Sequence, residues 1–176
     1  MKKILSLTLI LIFSTGAVIA QNQWEEIVYH YQTGTVPPPY YYSYDLTINP
    51  SGTGTLVYFP NYGKDTTWVY NITFSQDDIN TLSSAISESG VLTGTISELS
   101  DSLKPIGGAL QNISIQQPQD PNLDQTPPRI VVPYFPKPEF MEKIMVLYSF
   151  IQKIVPENIR NEINLRKEEY IKNHEK

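Results

Sequence analysis

Residues 42–59 read YSYDLTINPSGTGTLVYF, and this stretch decides the predicted fold. Its first seven residues alternate between large apolar and small polar side chains, the period of a strand that buries one face. Turn-forming residues fill positions 49–54, and an apolar run resumes at 55–59, so the segment predicts a β-hairpin. The predicted core face of the first strand consists of Tyr42, Tyr44, Leu46 and Ile48.

Further strands are predicted on both sides of this hairpin. Residues 24–31 and 67–74 are rich in aromatic and β-branched residues, and no helical pattern separates the four strands. We therefore expect an antiparallel meander over 21–75, packed on one face. A second hairpin with a long proline-rich loop is predicted over 108–134.

Three helices are predicted around these strands. Ser75 and Asp78 have the spacing of a capping box, and Gly90 suits a left-handed terminator, so a helix is expected over 76–90. Residues 138–172 show helical periodicity that Pro156 should divide into two helices. The predicted fold class is therefore α+β. A four-stranded meander and a second hairpin are packed by one mid-chain helix and two C-terminal helices.

The first twenty residues predict an export signal. Lys2 and Lys3 precede an apolar run over 4–13, and small or moderate side chains lead to a cleavage site after Ala20. The run falls short of the roughly 20 residues that cross a bilayer. We therefore expect a single domain over 21–176 in the periplasm or the medium, outside the membrane after cleavage.

Composition and charge exclude several classes of function. The chain has no cysteine, which excludes disulfides and a lipid on an N-terminal cysteine. The formal net charge is -5, and loss of Lys2 and Lys3 would make it -7. An acidic protein repels a phosphate backbone, so nucleic acid is not expected as a partner.

No catalytic, metal or cofactor site is predicted. The two histidines, His30 and His174, lack the spacing of metal ligands, and no Gly-x-Ser-x-Gly motif is present. One enzymatic alternative remains open, because carboxylates at Glu88, Glu98 and Asp101 could form a pair that hydrolyses an envelope polysaccharide.

Tyrosine is the unusual accumulation, with twelve in the chain and most of them in the predicted meander. Alternation directs Tyr41 away from the core face, and the prolines before Tyr40 hold the Tyr40 ring near Tyr41. Tyr40, Tyr41 and Trp68 are the candidate binding residues, because exposed aromatic rings suit protein and glycan partners. The alternative is that tyrosine merely suits strands, in a purely structural envelope component.

The order of elements also resembles that of small exported bacterial domains of unassigned function. The resemblance rests on the strand over 42–48, the glycine-containing turn, the helix capped by Ser75, Gly107-Gly108, and the VPENI sequence at 155–159. It covers most of the mature chain, implies an α+β fold and brings no catalytic residues. The predicted function is an exported, non-catalytic binding or interaction module of the bacterial cell envelope.

Overall fold

One antiparallel sheet lies at the centre of the fold. The computed structural model describes residues 23–63, 65–120, 122, 127 and 129–174. The predicted signal over 1–20 lies outside the described residues. The strands are β1 (Glu26–Gln32), β2 (Ser43–Ile48), β3 (Thr53–Phe59), β4 (Trp68–Thr73), β5 (Leu110–Gln116) and β6 (Ile130–Val132).

The order of the strands across the sheet is β4-β3-β2-β1-β5-β6. The first four strands form the predicted meander, because each pairs with its neighbour in the sequence. The second predicted hairpin, β5 and β6, joins the free side of β1. Both parts of the predicted sheet are therefore confirmed.

Three α-helices lie in the described residues: α1 (Gln76–Ser89), α2 (Pro138–Ile154) and α3 (Glu157–His174). The Ser75 and Asp78 side chains form the predicted capping box on α1, and Gly90 ends that helix with φ of 75°. Val155 has an extended backbone before Pro156, so α2 ends there and α3 begins anew. The α+β class is confirmed.

The helices pack on the face of the sheet that alternation predicts. Leu46 and Ile48 of β2 are fully buried, in one cluster with apolar residues of all three helices. Ser43 is also fully buried, although it belongs to the opposite, more polar face. Alternation predicts the face on which a side chain lies, but not what covers that face.

None of the helices in the described ranges combines the length and the apolar character that a membrane span requires.

Gly54 occupies a place in β3 that leaves no room for a side chain. A Cβ there would overlap the Thr47 carbonyl oxygen and lie 2.7 Å from a ring atom of Phe74. Gly94 offers a matched control, because nothing lies within 4 Å of its Cβ position.

We expect Gly54→Ala to lower the free energy of unfolding by about 2 kcal/mol, the usual cost of overpacking a core. Gly94→Ala should leave it nearly unchanged. Urea unfolding of both variants measures the difference, and equal stability of the two would contradict the described fit between β2 and β3.

Candidate functional site

A row of aromatic rings crosses four neighbouring strands on the helix-covered face. Tyr31 of β1 lies opposite Tyr44 of β2, Tyr44 opposite Tyr58 of β3, and Tyr58 opposite Trp68 of β4. Successive ring centroids are 5.2, 6.5 and 5.1 Å apart, and the planes differ by 17°, 8° and 3°. We call Tyr31, Tyr44, Tyr58 and Trp68 the aromatic row.

Tyr42 extends the aromatic row towards α3. Its ring stacks 5.6 Å from Tyr31 and 5.4 Å from Tyr58, measured between centroids. The Lys167 ammonium lies 4.3 Å from the centroid of Tyr42, and this cation–π contact attaches α3 to the sheet. The neighbouring residue, Arg166, has its guanidinium 5.7 Å from the ring centroid of Trp68.

A cavity of about 290 Å³ lies between the aromatic row and the junction of α2 and α3. We call it the tyrosine cavity. The sheet contributes Tyr31, Tyr42, Tyr44, Leu56 and Tyr58 to its lining. The helices and their junction contribute Gln152, Val155, Arg160, Ile163, Asn164 and Lys167. Among the described residues, no carboxylate lines it.

A hydrogen-bond network fixes one wall of the tyrosine cavity. The buried Tyr29 hydroxyl donates to the Gln111 Oε1 atom at 2.6 Å, and the Gln152 Nε2 atom donates to Gln111 at 3.2 Å and to Tyr29. Gln152 lines the cavity, so this network holds its amide in place. The amide of Gln152 is therefore a pre-positioned polar group in a mostly aromatic site.

Tyr58, which lines the tyrosine cavity, carries an unpaired hydroxyl. Its side chain is 1% exposed, and its hydroxyl makes no hydrogen bond to any described residue. A buried hydroxyl without a partner costs roughly 1–3 kcal/mol. Because this hydroxyl is itself buried, a ligand in the cavity does not reach it in this arrangement.

Burial determines the protonation of the phenols in this region. Desolvation raises the pKa of the Tyr42, Tyr44 and Tyr58 hydroxyls well above the ordinary value, and it raises the pKa of Tyr29 to about 12. These hydroxyls therefore keep their protons at neutral pH. They remain hydrogen-bond donors and add no negative charge to the tyrosine cavity.

The structure separates the three residues that sequence proposed for binding. Tyr40 is 43% exposed in a 3-10 turn at residues 38–40, which α3 contacts. Tyr41 points away from the core face as expected but is only 7% exposed, because its ring stacks 3.7 Å from that of Tyr62. Trp68 lies at the end of the aromatic row, on the opposite face from Tyr41.

Sequence reasoning did not select the residues that line the tyrosine cavity. The pairing of Tyr44 with Tyr58 could be predicted, because aligning the two strands of the predicted hairpin around its turn places these residues opposite each other. The contribution of Arg160, Asn164 and Lys167 to the lining could not be predicted, because it depends on where α3 crosses the sheet.

The carboxylates of the hydrolase alternative lie elsewhere. Glu98 and Asp101 both bond to the Lys104 ammonium, at 3.1 and 2.9 Å, on the protein surface. Glu88 is exposed near the end of α1. None of these three lines the tyrosine cavity.

The histidines have local partners. The His30 Nδ1 atom lies 2.5 Å from the Asp45 Oδ1 atom on the face away from the helices, and the His174 Nδ1 atom lies 2.8 Å from the Tyr170 carbonyl oxygen. Within the described ranges, no three His, Asp or Glu side chains cluster as metal ligands would.

The burial of Tyr41 generates a stability prediction. We expect Tyr41→Ala to lower the free energy of unfolding by about 3 kcal/mol, because the truncation leaves a cavity under Tyr62. Tyr40→Ala should cost less, since Tyr40 is 43% exposed. Chemical denaturation of both variants checks this order, and a larger loss for Tyr40→Ala would show that the burial is assigned incorrectly.

The buried phenols also predict alkaline destabilisation. Tyr29 has a pKa of about 12 when folded and about 10 when unfolded, so above pH 10 the unfolded chain binds fewer protons than the folded one. The contribution of such a buried phenol to the free energy of unfolding is then fully present below pH 10. It is lost as the pH rises, at about 1.4 kcal/mol per pH unit for each such tyrosine.

Urea unfolding between pH 8 and pH 11, with phenolate absorbance recorded in parallel, measures this effect. Tyr29→Phe should reduce the slope of the unfolding free energy against pH by the contribution of about one proton. Ionisation of all tyrosines near pH 10 without loss of structure would contradict the predicted protonation.

No protein-family model and no curated protein matches the chain. The chemistry of the tyrosine cavity is therefore the starting point for function.

Proposed function

We propose that this chain is an exported, non-catalytic binding module of the bacterial cell envelope, and that its ligand binds in the tyrosine cavity. The single observation that carries the site is the cavity itself, about 290 Å³ between the aromatic row and α3. Its size is at the small end of the range for small-molecule sites, and its aromatic lining with a few convergent polar groups is typical of them. Export rests on the predicted signal at residues 1–20.

The orientation of the rings indicates how this site would recognise a ligand. The tyrosines stack on each other at 5.2–6.5 Å, so their faces are largely directed at neighbouring rings. A ligand would then meet ring edges and hydroxyls in addition to the side chains of α3. Hydrogen bonding, more than stacking on exposed ring faces, is the expected mode of recognition.

The size of the tyrosine cavity favours one kind of partner over another. A protein surface needs roughly 800 Å² on each side for stable association, which a cavity of about 290 Å³ does not provide. A small molecule or one terminal unit of a glycan fits the dimensions better. Tyr40 and Trp68 remain candidates for contacts outside the cavity, Tyr40 in the turn beside α3 and Trp68 beneath Arg166.

A second candidate function is a structural component of the envelope without a ligand. It is favoured by the near-complete burial of several tyrosine side chains, which then serve as core residues. These are Tyr29, Tyr58, Tyr70 and Tyr148.

Two matched substitutions on α3 separate these functions. Asn164 is exposed at the lining of the tyrosine cavity, and Asn161 is exposed on the same helix outside it. We expect Asn164→Trp to obstruct the cavity while the protein stays folded. Asn161→Trp adds the same side chain and should leave the cavity open.

The measurement is saturation-transfer NMR with a library of monosaccharides, sugar acids and small fragments, on protein purified after expression of the full chain. Binding that Asn164→Trp removes and Asn161→Trp retains would support the proposed function. Absence of binding by every probe, or binding that both variants retain, would contradict the assignment of the site. The former result would favour the structural candidate.

A further inference from the structure

The positive charges of the tyrosine cavity lack internal counter-charges. Arg160, Asn164 and Lys167 follow a spacing of four and three residues, which places them on one face of α3. Neither Arg160 nor Lys167 forms an ion pair with any described residue. By contrast, Arg166 on the same helix bonds to Glu162 at 2.8 Å.

This positive lining is unusual for the protein that contains it. The chain has a formal net charge of -5, yet its described cavity lining includes two cations and no carboxylate. Lys167 lies where water is partly excluded, because its side chain is partly buried and contacts the ring of Tyr42, whereas Arg160 is exposed. An anion in the cavity would therefore interact with Lys167 more strongly than with a lysine on open surface.

The neutral polar groups around the cavity are suited to the same kind of ligand. Protonated phenols and the Asn164 amide add hydrogen-bond donors to those of the Lys167 ammonium and the Arg160 guanidinium. Donors that converge without a facing carboxylate match a group that carries several acceptor oxygens.

One part of the lining is apolar. Leu56, Val155 and Ile163 present aliphatic side chains to the same space. A small inorganic anion would leave these side chains without contact, whereas an organic body would cover them. The cavity therefore offers separate surfaces to a charged group and to the carbon skeleton that carries it.

We propose that the tyrosine cavity binds a monosaccharide-sized organic oxyanion, with its carboxylate or phosphate at Arg160 and Lys167 and its carbon skeleton against Leu56, Val155 and Ile163. This inference rests on the proposed function, because it specifies the ligand of the same cavity. The free sugar acid or sugar phosphate and the terminal unit of an anionic glycan share this chemistry.

Isothermal titration with glucuronate, glucose 6-phosphate and glucose tests the charge requirement, because the three share a similar sugar skeleton. We expect the two anions to bind at least tenfold more tightly than glucose at low ionic strength, and we expect added salt to weaken the binding of the anions. The methyl glycoside of glucuronate distinguishes the sources: retained affinity favours a terminal glycan unit, and lost affinity favours the free sugar acid.

Substitution of the two cations tests the assigned residues. Lys167→Gln and Arg160→Gln should each weaken anion binding about tenfold, the usual effect of losing one charged hydrogen bond. Lys143→Gln removes the same charge from an exposed position on α2 and should leave affinity unchanged. Lys167→Arg keeps the charge and should retain more affinity than Lys167→Gln, with circular dichroism confirming that each variant is folded.

The outcomes separate the two proposals. If glucose binds as tightly as the anions, and Asn164→Trp abolishes that binding, the anion inference is overturned and the proposed function stays intact. Anion binding that survives both cation substitutions would also overturn it. Failure of all probes, including the wider library, would overturn the inference together with the proposed function.

Discussion

The register of the four-stranded meander is the constraint on which the rest of the structure depends. It places Tyr31, Tyr44, Tyr58 and Trp68 side by side across four strands, where each ring stacks on the next. A slip of one residue in β2 would send Tyr44 and its apolar neighbours to the other face, and would remove both core contacts and stacking. One register therefore builds the core and the aromatic surface beneath α3.

The tyrosine cavity exists because α3 is too polar to seal against that surface. Of the described residues of α3, Ile159 is the buried one, and the helix also attaches through polar and cation–π contacts. Arg166 lies over Trp68 and Tyr70, and Tyr170 accepts a hydrogen bond from Asn61 at 3.0 Å. Contacts of this kind hold a helix above a sheet without filling the space between them. The space that remains is lined by phenols on one side and by cations and amides on the other.

Local physics explains how much of this could be predicted from sequence. Alternation in β2, the cap at Ser75 and the break at Pro156 each act within a few residues, and each is confirmed. The burial of Tyr41 depends on Tyr62, which a loop brings back over it, and the tyrosine cavity depends on the crossing of α3. Such contacts join residues that are distant in sequence, so no local pattern carries them. Of the three proposed binding residues, Trp68 alone belongs to a strand of the sheet, and none of the three lines the tyrosine cavity.

The unpaired hydroxyls bear on the choice between a structural and a binding role. Phenylalanine would preserve the stacking of a buried ring and avoid the cost of about 1–3 kcal/mol for an unpaired hydroxyl. Tyr58, Tyr70 and Tyr148 all carry such a hydroxyl, but Tyr58 differs from the other two because it lines the tyrosine cavity. The Tyr58 hydroxyl is itself buried, so the charged groups that a ligand in the cavity would meet are those of Arg160 and Lys167. A purely structural role gives these two cations no ion-pair partner among the described residues, so the binding role accounts for more of what lines the cavity.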